Sequence, residues 1–189
     1  MTAKSTRQQA IDYLIKITRS IPGYPKPGII FRDLTTIFQD QKGMELALDL
    51  LSGFLLDPES QEPIYDKIVG IESRGFVLAG GLAGRLGGGV VLARKPGKLP
   101  FSKNRVEYSL EYGEDAMEMH VDTIQPGERI VIVDDLLATG GTAEAACRLV
   151  EMSAGKIIKV LFLVELPDLK GRKKLSGYHV DCVFGFTGE

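Results

Sequence analysis

The residues best suited to chemistry lie in one run, IVIVDDLLATGGTAEAA, from Ile130 to Ala146. It passes from hydrocarbon through two adjacent carboxylates, Asp134 and Asp135, into Ala138-Thr139-Gly140-Gly141-Thr142. The second half suits a small dianion such as a phosphomonoester, because glycines let backbone N–H groups turn inward and threonine hydroxyls add donors. The N-terminus of a following helix would add partial positive charge. The acids create a conflict, since a carboxylate about 4 Å from a phosphate costs about 4 kcal/mol at an effective dielectric of about 20. The conflict disappears for an elongated ligand with phosphate at one end and vicinal hydroxyls in the middle, where carboxylates act as strong acceptors. The same acids could hold water on a magnesium ion. A nucleotide P-loop is excluded: Gly75 and Gly80 have its glycine spacing, but Gly81-Leu82 follows where Lys and Ser or Thr are required.

These residues need a scaffold that brings strand ends to one edge. The pattern predicts strands over Ile68–Ile71, Val90–Ala93, Ile130–Val133 and Ile158–Val164, with helices over about Phe76–Leu86 and Thr142–Ser153. Such alternation signals an α/β protein with a parallel sheet covered by helices, and runs such as IVIV and IIKVLFLV fit strands buried on both faces. Ligands of open parallel sheets bind at the carboxyl ends of the strands. There Glu72-Ser73-Arg74-Gly75, Arg94-Lys95 and Asp134-Asp135 each follow a predicted strand, so two cationic stretches and two carboxylates reach one edge.

Before the sheet, Thr6 with Gln9 makes a capping-box signal, and Ala10, Leu14, Ile17 and Ile21 continue at helical spacing until Pro22-Gly23. Ile29, Ile30 and Phe31 form an extended or loop segment, and Ala47, Leu50, Leu51 and Phe54 mark a second helix ending by Pro58. Lys95 to Asp122 departs from the alternation: with a turn near Tyr112-Gly113, Met117, Met119 and Val121 alternate with Glu118, His120 and Asp122. The segment reads as a half-exposed antiparallel hairpin standing off the sheet.

With 189 residues, 44% hydrophobic and 25% charged, the chain has the size and composition of one soluble domain. A net charge of -2 argues against nucleic-acid binding, which calls for a basic excess. No apolar span is long enough for a bilayer and MTAKSTRQQAID lacks the apolar centre of a signal peptide, so a cytoplasmic location is expected. Cys147 and Cys182 have no neighbours at metal-ligand spacing and read as buried small apolar residues; His120 and His179 read as surface or satisfied strand histidines.

VIVDDLLATGGT closely resembles the ribose-phosphate signature of the type I phosphoribosyltransferases. YPKPGIIFRDLT, ESRGF, RKPGKLP, YSLEYG and VELPDLKG resemble the adenine phosphoribosyltransferases in the same order, across essentially the whole chain. The resemblance implies the type I fold: one domain over 1–189, a mostly parallel twisted sheet flanked by helices, a hood and base-recognition segment over about 1–35, and a flexible antiparallel flap over 95–122. It implies synthesis of AMP and pyrophosphate from adenine and 5-phosphoribosyl-1-pyrophosphate with Mg2+, in a homodimer with no nucleic-acid or membrane partner.

Carried onto this sequence, Ala138 to Thr142 hold the 5-phosphate, and Asp134 and Asp135 take the ribose hydroxyls. Ser73, Arg74, Arg94, Lys95 and Lys98 face pyrophosphate, and one basic loop residue reaches across the dimer interface. Ile30, Phe31 and Leu166 flank the base, with backbone near Arg32 reading its edge. Glu111, beside Tyr112, exchanges a proton with the purine, with Glu107 as its competitor. Magnesium is expected to touch substrate and water rather than protein. A purine-responsive regulator is disfavoured because no helix-turn-helix segment or basic surplus accompanies the fold. A 6-oxopurine enzyme ranks lower because a purine-site lysine is expected there.

Overall fold

The structure, a computed structural model, describes residues 3–109 and 114–188. Its centre is a five-stranded sheet of β3 (Lys67–Ile71), β4 (Gly89–Ala93), β7 (Arg129–Leu137), β8 (Lys156–Glu165) and β9 (Val180–Gly185). The order is β4-β3-β7-β8-β9 and every neighbouring pair is parallel. After β3 the chain first builds outward to β4 and then returns to place β7 on the other side. This reversal creates a switch point between β3 and β7, where an open sheet leaves a crevice at its carboxyl edge.

Side-chain alternation on β7 divides the interior into two layers. Val131 and Val133 join Leu14, Leu34, Ile37, Leu51, Leu78 and Leu82 from α1 (Ala3–Ile17), the turn after β2 (Ile30–Asp33), α2 (Thr35–Gln39), α3 (Gln41–Ser52) and α4 (Arg74–Leu86). Ile130 and Ile132 face the opposite layer, with Val160, Phe162 and the apolar side of α5 (Gly141–Met152). The buried strands are therefore apolar on both faces, as the parallel-sheet reading requires. No helix among the described residues is long and apolar enough to cross a membrane.

Several local expectations change. α1 is already helical at Ala3, so Thr6 and Gln9 are not its cap, and it ends at Ile17. Ile21 instead belongs to β1 (Arg19–Pro22), antiparallel to β2, and is exposed; β1 precedes the Lys67 strand that reads as the first. The helical period happened to run through Ile21, but the backbone groups beyond Thr18 bond across to residues 30–33. α2, a single short turn, and β9, which follows the turn-rich stretch after β8, went unpredicted because neither has a full period to display.

The hairpin β5 (Lys103–Ser109) and β6 (Glu114–His120) is antiparallel and forms a sheet of its own, as expected, but β6 is not half-exposed. Ala116, Met117, Glu118 and Met119 are all buried: the methionines pack in the α5 layer, while Glu118 faces the loop after β4 and forms a bridge with Arg94. The alternation Met-Glu-Met-His marked two different buried surfaces, one apolar and one polar. Residues 110–113, which include the expected turn, lie outside the described residues.

Because Ile132 is fully buried at the middle strand, Ile132→Ala should lower stability by about 2–5 kcal/mol through lost burial and a residual cavity. Urea unfolding measures this directly, and a loss under about 1 kcal/mol would contradict the two-layer core.

Candidate active site

Asp134 and Asp135 do not follow β7, as expected; they lie within it, since pairing with β8 continues through Asp134↔Phe162 to Leu137↔Glu165. Pairing with β3 ends at Val133, and β8 alone carries the ladder on past the apolar run, which leaves the β3 side of the two acids open to the crevice. Across the switch point, β3 ends at Ile71, the Glu72–Ser73 peptide is cis, and α4 starts at Arg74. A Cβ on Gly75 would lie 2.6 Å from the Val133 carbonyl oxygen and 3.0 Å from Asp134 Oδ1, so glycine is what lets α4 start against β7.

Arg74 Nε forms an ion pair with Asp135 Oδ2, and Asp135 is only 2% exposed. Asp134 Oδ1 accepts a 2.9 Å hydrogen bond from the Asp135 N–H. Burial pushes the Asp134 carboxyl well above the usual carboxylate range, and the neighbouring Asp135 charge adds to this; the Asp135 N–H and Arg74 oppose it without prevailing. An upward shift lessens the negative charge this carboxyl presents to its surroundings. That bears on the charge conflict, because Asp134 also lines the cavity formed by the glycine loop.

That cavity, about 80 Å3, is bounded by Ala138, Thr139, Gly140, Gly141 and Thr142 together with Asp134 and Phe162. Gly140 precedes α5 in the left-handed region at φ +82°, a conformation that turns the loop and favours glycine. A second cavity of about 340 Å3 is mainly apolar and is bounded by Ile30, Phe31 and Arg32 of β2, Leu136, Thr139 and Leu166. Phe31 is braced edge-on by Tyr24, with ring centroids 5.3 Å apart. Leu136 and Thr139 line both cavities, so the two spaces share a wall made by the end of β7 and the loop after it.

The basic loop after β4 is fixed by two acids. Glu72 accepts from the Lys95 N–H at 2.9 Å and Arg94 Nε at 3.2 Å; burial would raise its pKa, but these bonds hold it below the ordinary value. Glu118, 2% exposed, accepts from the Gly97 N–H at 3.0 Å. Arg94 donates to the Lys98 carbonyl at 3.3 Å, while the Lys98 and Ser73 side chains are exposed at this edge. Lys95 turns toward the hairpin: its Nζ lies 2.6 Å from the Tyr108 hydroxyl and pairs with Asp115, and Thr142 Oγ1 donates to the same hydroxyl at 3.4 Å.

The structure thus gathers the expected phosphate-loop, acidic, basic and base-side residues around connected cavities. Glu111 and Tyr112 lie outside the described residues. Glu107 is exposed and pairs with Arg105. Tyr108, Asp115 and Glu118 escaped the sequence reading, because a tyrosine and two acids in a charged hairpin look like solvent-facing positions. Cys147 is buried as expected, but Cys182 is only half-buried and its Sγ donates to Glu165 at 3.2 Å, so it is not an apolar filler. His179 lies at the surface near Asp181, and His120 ends β6.

The Lys95–Asp115 pair generates a pH prediction. Burial raises the Asp115 pKa, but hydrogen bonds from Lys95 and the Ala116 N–H outweigh it and hold the carboxyl below its ordinary range; Lys95, though burial lowers it, is raised on balance by Asp115 and Tyr108. The stability owed to Asp115 is complete above its unfolded pKa of about 4 and is lost as pH falls through the lower folded value. Wild type should therefore exceed Asp115→Asn in stability by a constant margin at neutral pH, shrinking below about pH 4. Urea unfolding across that range checks it, and a margin independent of pH would contradict the pairing.

Residues 36–186 match the family model described as "Phosphoribosyl transferase domain". The chain is 49% identical to adenine phosphoribosyltransferase of Chelativorans sp. (strain BNC1), covering 93% of this chain and 94% of that one. It is 53% identical to the enzyme of that name from Agrobacterium fabrum, covering 86% and 88%. The crystal structure of adenine phosphoribosyltransferase from Thermoanaerobacter pseudethanolicus superposes with TM-score 0.86 at 44% identity, covering 93% of this chain and 99% of that one. The Saccharomyces cerevisiae enzyme, complexed with an imino-altritol bisphosphate and adenine, gives TM-score 0.86 at 37% identity, covering 93% and 99%. With the glycine loop, the paired acids and the facing arginine set on the same sheet edge, the chain belongs to the adenine phosphoribosyltransferase family.

Proposed function

We propose that the protein transfers the 5-phosphoribosyl group of 5-phosphoribosyl-1-pyrophosphate to adenine, forming AMP and pyrophosphate in purine salvage. The observation that carries this reading is the junction, along Leu136 and Thr139, of a small polar cradle with a larger apolar cavity, which suits a phosphorylated sugar joined to a flat base. The named activity of the relatives and the adenine in the yeast complex support the choice of base.

In this reading Ala138 to Thr142 hold the 5-phosphate through inward N–H groups and hydroxyls. Asp135, paired with Arg74, and Asp134 accept from the ribose hydroxyls. Arg74, Arg94, Lys95 and Lys98, with the Ser73 loop, stabilise the departing pyrophosphate as the anomeric carbon becomes cation-like. Ile30, Phe31 and Leu166 confine the purine, backbone near Arg32 reads its edge, and Glu111, beside Tyr112, exchanges the ring proton. The 95–122 segment excludes water that would hydrolyse the activated sugar, and the 1–35 segment closes the base side.

Magnesium bound with the substrate supplies charge neutralisation at the leaving group. Substrate and water oxygens near Asp134 and Asp135 would be its ligands in this reading. Free Cys147 and Cys182 accord with a reducing, cytoplasmic setting. Val90 and Leu92 on edge strand β4 and Val77 on α4 are exposed, an apolar surface that supports a homodimer.

Two measurements test these proposals. A panel of adenine, hypoxanthine and guanine with magnesium and 5-phosphoribosyl-1-pyrophosphate should yield AMP far above IMP or GMP; Asp135→Asn should lower kcat/KM on the order of tenfold to a hundredfold while remaining folded. No AMP, or near-normal turnover in the folded variant, would refute the assignment. Light scattering should show a dimer that Leu92→Glu converts to monomer, and a wild-type monomer would remove the dimer from the proposal.

A further inference from the structure

The two glycines Gly140 and Gly171 interlock. A Cβ on Gly140 would lie 2.5 Å from the Gly171 carbonyl oxygen, and a Cβ on Gly171 would strike the Ala138 carbonyl oxygen and the Leu137 side chain. Gly171 is buried, and it opens the short 3-10 turn Gly171–Lys173 that follows Pro167–Leu169. Main chain thus rests on main chain beneath the phosphate loop, with no side chain between them.

What keeps this contact in place lies one residue on. Arg172 Nε donates to both carboxylate oxygens of Glu165, at 2.8 and 2.9 Å, and its NH1 donates to the Val180 carbonyl at 2.8 Å. Glu165 is the last residue of β8 and Val180 the first of β9, so one guanidinium ties the turn to two strands of the sheet. The far end of the same segment is anchored separately, by the Leu166 N–H to the Leu137 carbonyl at 2.9 Å. Charge-assisted forked hydrogen bonds fix orientation as well as position.

We propose that Gly171, held by the Glu165–Arg172 pair, is a positioning residue for the phosphate loop: its main chain is the floor that sets the shape of Ala138 to Gly141. The proposal rests on the reading of that loop as the sugar-phosphate cradle. A methyl group at residue 171 must displace the Ala138 carbonyl, and a displaced loop misaims the N–H groups on which anion binding depends. Leu166, on the base side, keeps its main-chain anchor to Leu137, while Thr139 of the loop borders both cavities, so the defect falls mainly on the sugar phosphate and less on the base.

The test uses the full chain, with ribose 5-phosphate as the calorimetric probe and adenine KM at saturating 5-phosphoribosyl-1-pyrophosphate as the second readout. Gly171→Ala should weaken ribose 5-phosphate on the order of tenfold or more while adenine KM rises by a smaller factor, since ångström-scale misplacement of binding groups has effects of that size. Arg172→Lys, which keeps the charge but loses the fork, should weaken it by less, and Lys173→Ala at the exposed end of the turn should leave it unchanged. If wild type binds ribose 5-phosphate and Gly171→Ala binds it equally well, the positioning role is overturned. If wild type does not bind it, the cradle reading fails, and the positioning role with it. Should Gly171→Ala not fold, Arg172→Lys decides on the same readouts, and unchanged affinity there overturns the proposal.

Discussion

The structure around the crevice is governed by the need to hold two adjacent carboxylates at the edge of the glycine-loop cavity. Burial and mutual repulsion would make a pair of charged acids at this depth unfavourable, and the chain answers in two ways. Asp135 is given Arg74 as a direct counter-ion, while Asp134, receiving the Asp135 N–H, is pushed toward its neutral form. The positions of β3, α4 and β7 follow from this arrangement, because Arg74 reaches Asp135 only if α4 begins immediately against β7. Gly75 makes that approach possible.

The same solution recurs outward from the crevice. Glu72 and Glu118 are acids placed beside a basic loop that would otherwise repel itself, and each takes a backbone N–H of that loop as well as facing its charges. Lys95 is balanced by Asp115 on the hairpin, and Tyr108 passes the connection on to Thr142. Basic loop, hairpin and phosphate loop are therefore one hydrogen-bonded assembly, and a change at one is felt at the others through shared partners.

The sheet and its carboxyl edge are legible in the sequence because the three central strands β3, β7 and β8 leave apolar runs that admit few alternatives, and because the glycine loop is a compact motif. The helix α1 and strand β1 were confused where an apolar period crossed from one to the other at Ile21. Glu118 and the Glu165–Arg172 pair were illegible for a different reason: a charged residue in a sequence carries no sign of whether its partner lies close by. Glu118 meets Gly97 across 21 positions, and Arg172 meets Glu165 only because the turn between them folds back on itself. Local pattern reports a residue's own preference, whereas these contacts depend on where the rest of the chain has been brought.

Thr139 belongs to the walls of both cavities. Leu136 at the end of β7 does the same, so strand and loop wall the two spaces together. For the proposed phosphorylated sugar joined to a base, such a shared wall acts as a ruler: it measures the length of a molecule before any atom of it reacts.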